Sequence, residues 1–259
     1  MKNLIPFAGI LCLVACQPIP PPITTCCQTT FQSADSMTIV SDEYRVDTDA
    51  PVLLLFHQGG SNVRGEYHSI IPRLTDRGYN VLAVDLRVGG QYYGDYNRTV
   101  AGRSDYGFPA NYDYCGAYPD LEAALTYVQE SSFTGPVVLW GSSFSASLVV
   151  QLASNHAEDI AGVLAFSPAS GDPMEGCRPE PFMDGLSLPL LVLRPESELQ
   201  NESARRQFQL ADSLGHQTYV ASPGVHGSSM LVEDRAGGDV SAHWDRIWAY
   251  LDEIAPIGQ

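Results

Sequence analysis

Pro136-Val137-Val138-Leu139-Trp140-Gly141-Ser142-Ser143-Phe144-Ser145-Ala146-Ser147-Leu148 joins an apolar run of strand length to a stretch that continues apolar through Ala153. It reads as strand, sharp turn and buried helix, with a serine at the apex. At such a turn the apex backbone is strained. Only small side chains fit two residues before and after it, because strand and helix nearly touch. Gly141 and Ser145 meet that demand around Ser143. Ser142 fails as the apex because bulky Trp140 would fill a small position, and Ser145 already lies in the helix. Ser143 is therefore the candidate nucleophile, set against the plainer reading of an ordinary serine-rich strand-to-helix connection.

Outward from this unit, apolar runs alternate with helical patterns. An opening hairpin is expected over 36–40 and 43–46, then strands over 52–56, 80–85, 137–140, 160–166, 190–193 and 217–220. Leu121, Ala124, Leu125 and Val128 recur at helical spacing, as do Val240, Trp244, Ile247, Trp248 and Leu251. Each set makes one core-facing stripe. Strands alternating with helices imply an α/β architecture: a mainly parallel sheet of about eight strands, covered by helices on both faces, with sites at the carboxyl ends of strands. The stretch 86–118, with seven tyrosines, is too long for a plain connection and is expected to shape a pocket.

The N-terminus reads as an export signal over 1–15: a positive start at Lys2, then a mostly apolar segment too short to span a bilayer. Leu13-Val14-Ala15-Cys16 resembles the lipobox of bacterial lipoproteins, which implies cleavage before Cys16 and lipidation of its sulfur. Residues 16–30, rich in proline at first, are expected to form a lipidated tether, and 31–259 the folded domain. The chain would then stand in the bacterial cell envelope, lipid-anchored and facing the periplasm or the exterior.

The formal net charge is −16, which argues against nucleic acid and anionic lipid surfaces as partners. Contact with a membrane is expected through the N-terminal lipid only. Lys2 is the single lysine, so lysine Schiff-base chemistry, a phosphate-loop lysine and a Ser-Lys dyad are excluded from the mature chain. Cys115 and Cys177 could both sit on loops at the same edge of the sheet, and a bridge between them is expected after export, one of three pairings open to the four remaining cysteines, with four free thiols as the alternative. The spacing of the cysteines and histidines does not suit zinc.

Three further motifs make the chain resemble the α/β-hydrolase superfamily, in its dienelactone-hydrolase-like and esterase branch, over nearly all of 36–254. His57-Gln58-Gly59-Gly60-Ser61 resembles the family's oxyanion loop. The likeness implies Gly59 N–H and Phe144 N–H as oxyanion donors, with Gln58 the alternative; His57 then braces the loop. Pro223-Gly224-Val225-His226-Gly227 stands where relatives carry the catalytic histidine, making His226 the candidate base ahead of His68, His156, His216 and His243. The acid of relatives follows the strand at 190–193, which aligns Glu198, with Glu196 near enough to compete. The order Ser143, Glu198, His226 is that of this fold.

The resemblance implies a serine hydrolase acting on a carboxylic ester or related acyl bond of a small-molecule substrate, through an acyl-enzyme and without a cofactor. A strict dienelactone hydrolase is disfavoured, since that activity goes with a cysteine at the apex. A peptidase or acyltransferase on the same fold, and a non-catalytic binding lipoprotein, are the alternative readings. The oligomeric state is not legible.

Overall fold

The centre of the molecule follows from its most apolar strand, Val52–Phe56, in which every residue is buried. Alternate side chains of this strand enter different cores. Val52, Leu54 and Phe56 pack with Leu121, Leu125, Val128, Leu148 and Leu152. Leu53 and Leu55 pack with Leu74, Trp244, Ile247 and Leu251. A strand buried on both faces needs helices on both, and a continuous apolar run is its sequence signature.

The computed structural model describes residues 24–102 and 113–258. Its strands are β1 (Thr24–Gln32), β2 (Thr38–Arg45), β3 (Val52–Phe56), β4 (Asn80–Asp85), β5 (Val137–Ser142), β6 (Gly162–Phe166), β7 (Leu190–Pro195) and β8 (Gln217–Ala221). They form one sheet in the order β1-β2-β4-β3-β5-β6-β7-β8. β1, β2 and β4 pair antiparallel, and β4, β3 and β5 to β8 run parallel. The helices are α1 (Val63–Tyr67), α2 (Ile71–Arg77), α3 (Arg98–Ala101), α4 (Tyr118–Glu130), α5 (Phe144–Asn155), α6 (Glu180–Met183), α7 (Glu202–Ser213), α8 (Glu233–Ala236) and α9 (Ser241–Ile254). This is the α/β-hydrolase fold. The chain leaves β3 for β4 on one side and returns to β5 on the other, so the carboxyl ends of β3 and β5 face a crevice at the switch in strand order.

The opening hairpin differs from the sequence expectation. Residues 38–40 and 43–45 of those two segments belong to one continuous strand, β2, whose partner is β1. Ser41-Asp42 reads as a turn, but both residues are buried in mid-strand. Asp42 is held there by Arg98 Nη1 at 2.5 Å and Arg64 Nε at 2.8 Å, and Arg98 Nε also reaches Asp85 at 2.7 Å. The turn falls instead at 33–37, with Ser36 at φ 65°. The sheet thus begins at Thr24, inside the stretch assigned to the tether. The signal segment 1–15, Cys16 and the tether up to residue 23 lie outside the described residues, as do Tyr106 and Tyr112 of the tyrosine-rich stretch.

Candidate active site

Ser143 joins β5 to α5 with φ 62° and ψ −118°, a region that disfavours any side chain and is held only when the surroundings impose it. The neighbours do so. Ser143 N–H donates to Phe166 O at 2.8 Å, and the Ser143 carbonyl accepts from Ala146 and Ala169 at 3.1 Å each. Ser145 Oγ accepts from Ser142 N–H at 2.9 Å and bonds to Phe56 O at 2.7 Å, sewing the elbow to β3. A Cβ at Gly141 would stand 2.6 Å from the Ala146 Cα, which is why the position two before the apex carries none. Phe144 opens α5, so its N–H has no acceptor within the helix.

The loop after β3 is pinned from behind. Leu86 N–H donates to His57 Nε2 at 3.0 Å, which leaves the proton on Nδ1, 2.8 Å from Gln58 O. Burial holds His57 well toward its neutral form, with its pKa lowered. His57 is therefore a brace. Gln58 N–H donates to Glu66 Oε2 at 2.7 Å, so this amide is turned away from the cavity, and the next peptide, Gly59, lines it. A side chain at Gly59 would meet the Tyr114 hydroxyl at 2.5 Å. Asn62 caps α1 by accepting from Gly65 N–H at 2.7 Å, and its amide ties that cap to Gly90 O and Gly94 O.

His226 follows β8 and leads into a 3-10 turn over Gly227–Leu231. Its Nδ1 lies 2.6 Å from Glu198 Oε1, which leaves Nε2 as the basic nitrogen. Burial alone would push the Glu198 carboxyl up, but the His226 hydrogen bond and the charges of His226 and Arg194 outweigh it, and its pKa is lowered. Glu196 is exposed and takes a 3.3 Å contact from Ser222 Oγ instead. His68 is exposed, His156 pairs with Glu122 at 3.5 Å, and His216 Nε2 meets Met183 O at 3.0 Å. His243 is buried between the Tyr219 hydroxyl and Pro223 O, beneath the loop that carries His226.

Ser143, His226, Gly59, Gln58, Tyr92 and Tyr114 line one open cavity of about 530 Å³. Tyr114 stacks on Phe144 with ring centroids 4.5 Å apart, and the adjacent Cys115 is bridged to Cys177. Several supporting residues carry no motif. Arg194 is buried and holds Glu198 Oε2 at 2.5 Å. Ser167, at φ 50°, takes a 3.1 Å hydrogen bond from Gly227 N–H and helps to hold the Glu198 pKa down. Glu66 is completely enclosed behind the 57–61 loop. For Arg194 alone the sequence held a signal, a charge embedded in the apolar run of β7.

Fold and site together define a serine hydrolase of the α/β-hydrolase type. The family model described as "Serine aminopeptidase, S33" matches residues 48–229, and the chain belongs to that family. Among solved structures it is similar to the Pyrococcus furiosus esterase Pf2001, with 14% identity, 89% of this chain and 93% of that one covered, and a TM-score of 0.66. It is also similar to brefeldin A esterase, described as a bacterial homologue of human hormone sensitive lipase (17% identity, 95% and 79% covered, TM-score 0.64). A third is the Pyrococcus horikoshii acylaminoacyl peptidase (13% identity, 92% and 43% covered, TM-score 0.64). No curated protein matches the chain.

Proposed function

We propose that this serine hydrolase cleaves a carboxylic ester of an uncharged acyl group, from a lipid-tethered position outside the cytoplasm. Ser143 Oγ attacks the acyl carbon while His226 Nε2 takes the hydroxyl proton. Glu198 holds the ring and stabilises the imidazolium. The negative oxygen of the tetrahedral adduct is met by Gly59 N–H and Phe144 N–H; a preorganised donor of this kind is worth roughly 3 kcal/mol in the transition state. His226 returns the proton to the leaving alkoxide. Water, deprotonated by the same nitrogen, then releases the acid and restores Ser143. The observation that carries the reading is the 2.6 Å pair of His226 with Glu198 at a cavity that Ser143 also lines.

The lining supports an ester over an N-terminal peptide. Recognition of a free α-amine calls for a carboxylate, and none is found among the described residues lining the cavity. A fluorophosphonate probe should label wild type and not Ser143→Ala, and p-nitrophenyl esters should turn over faster than aminoacyl p-nitroanilides. Faster anilide turnover would transfer the assignment to a peptidase, and an unlabelled, folded wild type would leave a binding protein. The tether has its own test: Cys16→Ser should abolish palmitate incorporation and release the protein from membranes.

A further inference from the structure

Glu66 stands on α1 with no exposed surface, and three loops of the site meet at it. The first is the oxyanion loop. Glu66 Oε2 accepts from Gln58 N–H at 2.7 Å, while Gln58 O is held by Ser61 N–H at 3.2 Å and by His57. The second is the nucleophile elbow, whose Ser142 side chain acts on the same carboxyl and helps to hold its pKa down. The third is the histidine loop: Ser228 N–H donates to Ser142 Oγ at 2.9 Å. Arg235 completes the clamp from α8, donating to Glu66 O at 2.8 Å, Gly65 O at 2.7 Å and Ser229 Oγ at 3.2 Å.

An enclosed carboxylate is an expensive way to fill space. Desolvation disfavours its charge, and an apolar side chain of the same volume would pack there more cheaply. Its second oxygen, Oε1, has no hydrogen-bond partner among the described residues. What the carboxylate supplies, and a methionine cannot, is an acceptor that turns the Gln58 peptide inward. A peptide so fixed leaves the following amide, Gly59 N–H, on the cavity side.

We propose that Glu66 is a positioning residue of the hydrolase: it sets the oxyanion donor at Gly59 and locks that donor to the elbow and to the histidine loop. The proposal rests on the reading of Ser143 as nucleophile. Glu66 touches no substrate and transfers no proton in the reaction.

The purified protein tests it through Glu66→Met, which keeps length and apolar volume but accepts nothing, and Glu66→Gln, which restores an acceptor oxygen. With p-nitrophenyl acetate, kcat of Glu66→Met should fall about 100-fold with KM changed by less than about threefold, the size expected for a lost oxyanion donor. Assayed at pH 8, where Glu66 is ionised, Glu66→Gln should recover to within about tenfold of wild type while staying measurably below it, because a neutral acceptor holds the amide less firmly. The melting temperature of Glu66→Met should equal or exceed that of wild type. A purely structural residue gives the opposite pattern: a lower melting temperature and an unchanged kcat per fluorophosphonate-reactive Ser143. Should Glu66→Met not accumulate folded, Glu66→Gln decides, and kcat equal to wild type overturns the proposal.

Hydrogen exchange of the peptide 57–61 separates this proposal from the functional reading. A wild type inert to every ester and to the probe sinks the hydrolase assignment. Exchange in 57–61 then still reports the tie. A rise of about tenfold or more in the folded variant sustains the tie, on the open-state free energies that govern exchange; no change refutes it.

Discussion

Glu198 divides its two oxygens between two partners: Oε1 lies 2.6 Å from His226 Nδ1, and Oε2 lies 2.5 Å from Arg194 Nη1. Arg194 is itself enclosed, with further bonds to Pro168 O and Gln207 Oε1. The arginine thus fixes the carboxylate before the histidine does. That arrangement holds Glu198 rigidly against the His226 ring.

Glu198→Gln keeps the shape but donates where the ring also donates, so it selects the wrong imidazole tautomer. We expect kcat to fall on the order of 10³- to 10⁴-fold. Glu196→Gln, which alters only an exposed contact to Ser222, should leave kcat within about twofold, as exposed substitutions usually do. Steady-state kinetics on both variants checks this. Equal losses at the two positions would reassign the acid.

The placement of the candidate nucleophile and base at one cavity was legible. Ser143 lies between small residues at a strand-to-helix junction, and His226 lies next to a glycine after the last strand. The stripes of α4 and α9 were legible because burial imposes a helical period. The residues that hold these groups in place were not. Glu66 is one charge in a short amphipathic segment, and nothing local says that its carboxylate faces an amide eight positions earlier. Ser167 looks like any serine after a strand. β1 was missed because its threonines, cysteines and glutamines lack the alternation of a half-buried strand, and Asp42 disguised β2 because its cations, Arg64 and Arg98, arrive from distant parts of the chain.

Stability should carry a pH signature from Glu66. Burial pushes its carboxyl up to about 7 from an ordinary 4.5, against hydrogen bonds from Ser142 and Gln58 and the charges of Arg235 and His226; Tyr67 is the other titratable group facing it. The folded state holds this proton more tightly than the unfolded chain. The contribution is therefore full below about pH 4.5, falls as pH rises toward 7 and is flat above. The span is about 3 kcal/mol by linkage. Glu66→Gln removes the slope, so its stability relative to wild type should rise by about that amount between pH 5 and pH 8. Urea denaturation at the two values measures it, and a pH-independent difference would show that the carboxyl titrates normally.

Gly141 tests the closeness of strand and helix at the elbow. The added methyl of Gly141→Ala would meet Ala146 Cα, Ser145 O and Ala146 N within 2.7 Å, all of them backbone or fixed to it. Nothing flexible can yield. Overpacking of this kind costs about 1–3 kcal/mol, and relief by shifting α5 would move the Phe144 amide away from Ser143. We expect a lower denaturation midpoint together with slower fluorophosphonate labelling. A variant as stable and as reactive as wild type would mean that strand and helix stand further apart than described.

The Cys115–Cys177 bridge joins positions 62 residues apart, and closing a loop of that length in the unfolded chain is worth up to about 4 kcal/mol in the chain-entropy picture. Cys115 directly follows Tyr114, whose ring lies on Phe144 and whose hydroxyl lies against Gly59. Opening the bridge frees one wall of the cavity as well as relaxing the unfolded state. The Cys115→Ala, Cys177→Ala protein should unfold at about 2–4 kcal/mol less than oxidised wild type, and wild type treated with reductant should match it. KM should rise more than kcat falls, since the wall touches the substrate and leaves the Glu198–His226 pair intact. Coincident denaturation curves for oxidised and reduced wild type would show that the bridge adds nothing to the fold.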